Sequence, residues 1–495
     1  MEDVVQDTSR NLHKALCERV YVDDEVEESF SGQPAFFAEM FSHNLILFDA
    51  GYDFAYRHKP FLYQFGDGGS QFHVGFNAYD KLTDRFTVWG GAGYSTGVVK
   101  HVKWNSVADI AELYPYYLAD TIGGTLRDEQ YDFSGGCGYS KGRLNIAGQM
   151  SYRAVQDYRT TDPRIRNIVS DLQLKMGMKY GFGDYDVGMS LGMRIYGQTS
   201  SVEFYREAGK SPEYQMTGLG TCYERFSGDV NALYFKGVGF DGSLCLKPVH
   251  NSGFVVKMDL SKFDNTRIAT SINSFPITTL HTYSFVSLFG FQRNDKRMSR
   301  WLVEVDYTRK SGVEHIAGNA SSGSYPVITD LQMYRSNMLK CGANITLQKI
   351  VRNGRTFTVE PKVGFVHYDE DYRYPNRHLS DYKVFVVCNN TLSNCMSEKV
   401  VTTWNAEAGF YMDVFHSSKI PYVILKHEFI DMFRNFEEAI NGHYAHLKVS
   451  MRYNYFPHRG RMFVFAEPSC CLLGCRGTTR YSCSVSCMIT AGVGF

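Results

Sequence analysis

Tyr481-Ser-Cys-Ser-Val-Ser-Cys-Met-Ile-Thr-Ala-Gly-Val-Gly-Phe495 alternates strictly, and its two faces decide the fold. In an extended strand Cys483, Val485, Cys487, Ile489, Ala491, Val493 and Phe495 share one side. Ser482, Ser484, Ser486, Met488, Thr490, Gly492 and Gly494 share the other. Apolar side chains toward lipid and small or polar ones toward a lumen are what a membrane β-barrel requires.

The same period recurs upstream. Tyr185, Val187, Met189, Leu191, Met193 and Ile195 oppose Asp186, Gly188, Ser190, Gly192 and Arg194. Ala445, Leu447, Val449, Met451, Tyr453 and Tyr455 oppose His446, Lys448, Ser450, Arg452 and Asn454. A helix would space its apolar residues every three to four positions. A soluble sandwich alternates too, so the connections must discriminate. Short ones are expected near 81–83, 141, 182, 247–250, 294–297, 350–354, 416–419 and 457–459, and long ones at 100–128, 200–230, 312–329 and 371–399. Short periplasmic turns alternating with long extracellular loops mark outer-membrane barrels. The reading is all-β: a transmembrane antiparallel barrel of about eighteen strands, with sixteen as the alternative. Weak strands at 420–430 and 460–468 carry the uncertainty in count.

Residues 44–495 are expected to form the barrel. Residues 1–43 do not alternate and read as a periplasmic segment or a lumen insert, a tail or lining rather than a plug. Their first stretch lacks the apolar core of a signal peptide, so the expectation is a chain already processed and exported to the bacterial outer membrane. The row Ile489, Ala491, Val493 and Phe495 resembles the signal read by the barrel-assembly machinery, with Val493 where such signals often carry Tyr.

Composition agrees. The 34 Tyr, 35 Phe and 45 Gly are high for 495 residues, and aromatic residues girdle membrane barrels. No run of 18 apolar residues offers a transmembrane helix. The 52 basic and 52 acidic residues cancel, which argues against a nucleic-acid partner held by bulk charge. Twelve cysteines are too few for a disulfide scaffold at this length. Cys388 and Cys395 are expected to share a polar loop, where a disulfide could join them. Cys470, Cys471 and Cys475 cluster with the wrong spacing for zinc. Cys137, Cys341, Cys483 and Cys487 read as small lipid-facing hydrophobes.

The sequence offers no catalytic, cofactor or metal constellation. Gly188-Met-Ser-Leu-Gly192 matches a nucleophile elbow but lies mid-strand, where no strand-to-helix turn can form. Gly90, Gly91, Gly93 and Gly97 precede no helix and make no phosphate loop. His367 and Asp369 are the closest approach to an acid–base pair. The inward positions instead carry mixed charge: Arg143, Arg153, Asp186, Arg194, Lys257, Asp259, Glu304, Asp306, Lys340, Glu360, Lys362, Glu407, Asp413, Lys448 and Arg452. These could line a selective pore, or pair across the lumen and hold it rigid and closed.

One group of segments carries a resemblance. Trp89-Gly-Gly-Ala-Gly-Tyr-Ser, Val102-Lys-Trp104-Asn105, Asp120 to Gly124 and Asp162-Pro-Arg-Ile-Arg-Asn167-Ile-Val-Ser-Asp171 resemble an uncharacterised family of Bacteroidota outer-membrane barrels. Members of that family accompany TonB-dependent uptake systems. The resemblance implies a non-enzymatic barrel in solute or nutrient uptake, as a channel or as an accessory to a TonB-dependent transporter. A closed scaffold or surface-binding barrel is the alternative, and an outer-membrane hydrolase a distant third. The resemblance supplies no catalytic residue. Its best-matched positions are Trp104, Asn105, Asp162, Arg164, Asn167 and Asp171, near extracellular loops.

Overall fold

The computed structural model describes residues 30–205, 213–226, 232–250, 252–294, 298–319, 325–351, 355–397, 399–421, 425–458, 462–477 and 480–495. Its strands, in chain order, are β1 (Leu45–Arg57), β2 (Gly68–Thr83), β3 (Phe86–Val102), β4 (Leu118–Asp120), β5 (Gly124–Lys141), β6 (Leu144–Tyr158) and β7 (Arg164–Phe182). Then follow β8 (Tyr185–Glu203), β9 (Glu213–Gly218), β10 (Thr221–Cys222), β11 (Ala232–Pro248), β12 (Gly253–Ala269), β13 (Phe275–Asn294) and β14 (Met298–Ala317). The last are β15 (Val327–Val351), β16 (Arg355–Tyr372), β17 (Arg377–Ser397), β18 (Val400–Lys419), β19 (His443–His458), β20 (Met462–Arg476) and β21 (Tyr481–Gly494). Helices α1 (Pro34–Phe37), α2 (Ile110–Leu113) and α3 (His427–Ile440) stand outside this ladder.

Eighteen of the strands form one antiparallel sheet in which each pairs with its neighbours along the chain. The sheet closes on itself where β1 pairs with β21, from Leu47 opposite Gly494 to Arg57 opposite Ser484. Phe495 completes the seam by exchanging backbone hydrogen bonds with Ile46, at 2.9 and 3.1 Å. Closure leaves no unpaired strand edge, the condition for a sheet in hydrocarbon. The other three strands, β4, β9 and β10, form a small separate sheet.

The outward rows explain why the sheet needs lipid. Met176 is 77 %, Phe182 72 %, Trp301 66 % and Leu191 65 % exposed. Such a continuous apolar surface is not sustained in water. The eighteen strands match the expected number, and the end where β1 begins and β21 finishes carries connections of two to four residues. On the opposite side the connections 103–123, 204–231 and 420–442 are long, but 159–163, 270–274, 373–376 and 477–480 are only four or five residues.

Two strand placements differ from the sequence reading and cancel in the count. Residues 371–399 are not a loop: they hold β17 behind the tight turn 373–376. The strand expected at 420–430 is not found among its described residues: 420–421 and 425–426 are not in a strand and 427–430 begin α3, while 422–424 lie outside the described residues. β18 consequently runs in the opposite sense to that expected, and 416–419 stands at its long-loop end rather than in a short turn. The proposed bridge between Cys388 and Cys395 falls with the loop. Both residues sit on β17, seven positions apart and on opposite faces, and no disulfide joins them. At about 3.3 Å per residue they are roughly 23 Å apart, beyond the reach of a disulfide. Arg143 does not line the lumen either. It occupies the exposed two-residue turn between β5 and β6, where its carbonyl accepts the amide of Gly181.

Candidate functional site in the lumen

The long loops fold inward. The 103–123 loop carries α2 and β4, the 204–231 loop carries β9 and β10, and β4 pairs with β9 from Leu118 opposite Gln215 to Asp120 opposite Glu213. Helix α3 seals this sheet. Its Phe429 ring lies 5.3 Å from Trp104 and 4.8 Å from Tyr214, and Met432 joins the same buried cluster with Ile110, Leu113, Tyr117 and Met216. Phe433 packs in a second cluster with Tyr116, Leu219, Tyr334 and Leu425. Together these make an apolar cap across the long-loop end of the barrel.

Charged arms of the wall hold the cap by its backbone. Arg267 of β12 donates to the carbonyls of Met216 at 3.1 Å and Tyr117 at 3.4 Å. Arg377 of β17 donates to those of Gly218 at 3.0 Å and Leu219 at 2.8 Å. Lys310 of β14 reaches the carbonyls of Ala111 and Tyr114, at 3.2 and 3.1 Å. Tyr114 donates to Glu370 of β16 at 2.6 Å. Both arginines are fully buried, and their bonds supply acceptors and donors that packed loops would otherwise leave unmet. None of these four wall residues was found from the sequence. Arg267 lies past the expected end of its strand, and Arg377 lies in a segment read as loop.

Helix α2 is clamped by ion pairs. Arg153 grips Asp109 with two bonds of 3.1 and 2.6 Å. Arg194 grips Glu112 at 2.5 and 2.9 Å and Asp171 at 2.9 and 2.7 Å. Such paired bonds fix orientation as well as charge. Arg159 and Asp120, neither exposed at all, pair at 3.1 Å, and Asp120 also accepts Ser106 Oγ at 3.0 Å and the Gly123 amide at 2.6 Å. The six positions carried by the family resemblance serve this framework. Trp104 packs the cap, Asn105 accepts the Val107 amide at 3.0 Å, and Asp162 pairs with Arg164 at 3.2 Å. Asn167 donates to Asp157 at 3.2 Å, and Asp171 holds Arg194.

The remaining inward charges named from the sequence pair with each other or with neighbours. Lys257 meets Asp259 at 2.8 Å, Glu304 meets Lys362 at 2.5 Å, and Glu360 meets Arg300 at 3.3 Å. Glu407 meets His446 at 2.8 Å, Arg452 meets Glu467 at 3.3 Å, and Asp186 meets Lys179 at 3.4 Å. Asp306 stands opposite Lys340, and Asp413 opposite Lys383. Lys448 lines a cavity.

Residues 30–43 lie flat against the inner wall at the short-turn end. Phe30 is buried with Cys245, Val255, Leu288 and Leu302, while Ala35 and Ala38 pack on Tyr79, Trp89 and Ala147. The wall makes room by omitting side chains. A Cβ on Gly188 would stand 2.3 Å from the Phe36 ring, and one on Gly138 2.5 Å from Ala38. Polar contacts finish the seat: Tyr79 donates to the Ala38 carbonyl at 2.7 Å, and Glu39 bonds Ser140 at 2.9 Å and Lys179. Burial pushes the Glu39 carboxyl up, but the hydrogen bond and charge of Lys179 outweigh it and leave it below its ordinary value.

Two adjoining cavities, of 740 and 620 Å³, remain beneath the cap on the β1–β6 side. Asp53, Asp128, Arg57 and Lys448 line the larger, Asp49, His73, Asn77 and Asp132 the smaller, and Gln71, Gln130 and Arg153 border both. Gly91 and Gly93 widen the space. These groups can bind a polar solute by hydrogen bonds and charge. Above them, in the cap, Glu213 is pushed up to about 9 by burial and by the neighbouring Asp120 carboxylate, with Arg159 partly opposing.

Ser190 is buried mid-strand in β8, away from any turn into a helix. His367 and Asp369 share a face of β16, with His367 Nδ1 engaged by the Asp381 carbonyl at 3.2 Å. Asp369, Asp371 and His378 lie close enough to share an ion.

Solved structures similar to this chain include the following receptors. The ferric preacinetobactin receptor of Acinetobacter baumannii has 8 % identity and a TM-score of 0.41, over 91 % of this chain and 80 % of its own. A ferric enterobactin receptor mutant from Pseudomonas aeruginosa has 7 % identity and a TM-score of 0.38, over 92 % and 80 %. The siderophore receptor PirA of Acinetobacter baumannii has 6 % identity and a TM-score of 0.38, over 90 % and 80 %. No curated protein sequence matches the chain. The sequence pattern of one family, however, matches residues 34–490, nearly the whole barrel, and the chain belongs to that family of unknown function, DUF6850.

Proposed function

We propose that this protein is a non-enzymatic outer-membrane barrel of solute uptake, shut at rest by its own extracellular loops. The cap held by Arg267 and Arg377 over a polar cavity is the observation that carries this reading. An open diffusion pore needs no buried arginine to fix loops across its mouth. The exposed apolar rows support a place in lipid, with the short connections facing the periplasm. Ile489, Ala491, Val493 and Phe495 are then read by the assembly machinery before the seam closes. A small polar solute sits in the cavity, and moving the cap takes an energised partner. The resemblance to barrels that accompany TonB-dependent uptake supports a TonB-dependent transporter in that role.

Conductance in planar bilayers tests the proposal. The intact barrel should insert and stay silent, and deletion of 204–231 should give steady ion flow. Steady flow through the intact barrel would make it an ordinary pore and end the proposal. Silence after the deletion would favour the closed scaffold instead.

A further inference from the structure

Of the outward-facing cysteines, two stand side by side. Cys470 of β20 and Cys487 of β21 are directly opposite in the register, and their sulfurs are 2.9 Å apart. Directly opposed residues of antiparallel strands have Cα atoms about 4.5–5.5 Å apart, within the span of a disulfide. The flanking residues confirm that both point outward. Cys470 is opposite Val449 of β19, Cys487 is opposite Phe54 of β1, and Leu472 and Ile489 continue the same apolar rows. Cys471 and Ser486, opposite each other one position along, have the inward parity.

We propose that Cys470 and Cys487 form a disulfide that staples the final hairpin, and that it forms before the barrel enters lipid. The oxidation passes two electrons and two thiol hydrogens to a carrier protein's disulfide, which leaves as a dithiol. One cysteine thiolate attacks the carrier to give a mixed disulfide, and the second cysteine then displaces the carrier's remaining sulfur. Each step needs a thiolate in contact with a water-borne partner. In the finished barrel both sulfurs lie in an apolar row that lipid covers, out of contact with water and with any carrier. The exposed hairpin of the unassembled chain has neither obstacle, and the bacterial periplasm is oxidising. Lipid afterwards protects the bond. The staple lies beside the seam, because β21 pairs with β20 on one side and β1 on the other. It therefore holds one of the two seam strands in register before closure.

Peptide mapping of protein purified from outer membranes without reductant tests this directly. Thiols are alkylated in denaturant and the chain is cut with trypsin. The expected product is peptide 462–476 joined to peptide 481–495, two hydrogens lighter than the sum of the separate peptides. Cys471, Cys475 and Cys483 should carry label. Recovery of Cys470 and Cys487 both alkylated would overturn the proposal, as would a link running through Cys471 or Cys483. Cys471→Ser and Cys483→Ser keep the link if the assignment is right, and Cys470→Ser removes it. A charged phosphine reductant should leave the bond intact in sealed outer-membrane vesicles and cleave it fully in denaturant. Equal cleavage in both would end the claim of lipid protection. The wild-type map decides the pairing even where a variant fails to assemble.

Discussion

The two ends of this barrel hold their inserts by different physical means. At the mouth, buried arginines reach from the wall to loop carbonyls, and ion pairs clamp α2. At the periplasmic end, the wall withdraws its side chains at Gly138 and Gly188 so that residues 30–43 can lie against it. The cap is tied to the wall by charge as well as packed, and the lining is seated mainly by shape. Charge-held contacts respond to protonation and to the loss of single groups, whereas shape-held contacts respond to added volume. A gate suits the first kind of contact and a fixed lining suits the second.

The contrast can be broken most strongly at the mouth. Arg267→Met keeps bulk but removes two charged hydrogen bonds, a loss of about 3 kcal/mol. Hydrogen exchange should rise at 117–118 and 213–218 and stay unchanged at 30–43; unchanged exchange in the cap would show that packing alone holds it. Next is pH. Glu213, at about 9 against an ordinary 4.5, keeps its proton in the folded cap. That stabilisation is complete below 4.5 and is lost as pH rises through about 9. From pH 6 to 8 protection of the inner sheet should fall by up to about a hundredfold. Glu213→Gln should flatten the dependence, and an equally steep variant would assign it to another group. A smaller effect is expected at the other end. Gly188→Val places atoms inside the Phe36 ring, at a cost of about 2 kcal/mol. Protease should then cut 30–43 faster while the mouth keeps its protection. Arg143→Ala, in an exposed turn, should change either end by less than about 0.5 kcal/mol, read by thermal melting.

The sequence revealed most where the two faces of a strand differ chemically. β8, β19 and β21 have lipid on one side and water or small polar groups on the other, so their alternation is plain. β17 hides because both of its faces are mixed: inward Leu379 and Phe385 are buried and apolar but Asp381 and Lys383 lie between them, while outward Val384 and Val386 share their row with Ser380 and Asn390. With neither face uniform the period is blurred. Helix α3 was legible in principle, since Phe429, Met432, Phe433, Phe436 and Ile440 have helical spacing. The run Ile420-Pro-Tyr-Val-Ile-Leu425 just before it imitates a strand and drew the reading away. Parity marks the charged inner wall, but parity cannot show which charges reach a loop. Position alone marks Arg153 and Arg194 as inward, and only the inward fold of 103–123 gives them Asp109 and Glu112 to hold.

The seam between β1 and β21 has a kinetic consequence. Every other strand pair of the barrel joins neighbours along the chain, as in a string of hairpins, and can zip as soon as its turn is made. The seam joins the most distant segments, so its contact order far exceeds that of the rest. Until it forms, the nascent sheet presents two bare edges, each a template for pairing with another molecule. Solitary barrels and aggregates thus share one precursor, and the race between curling shut and meeting a neighbour sets the folding yield, with a dependence on protein concentration that none of the seventeen sequential pairings would impose.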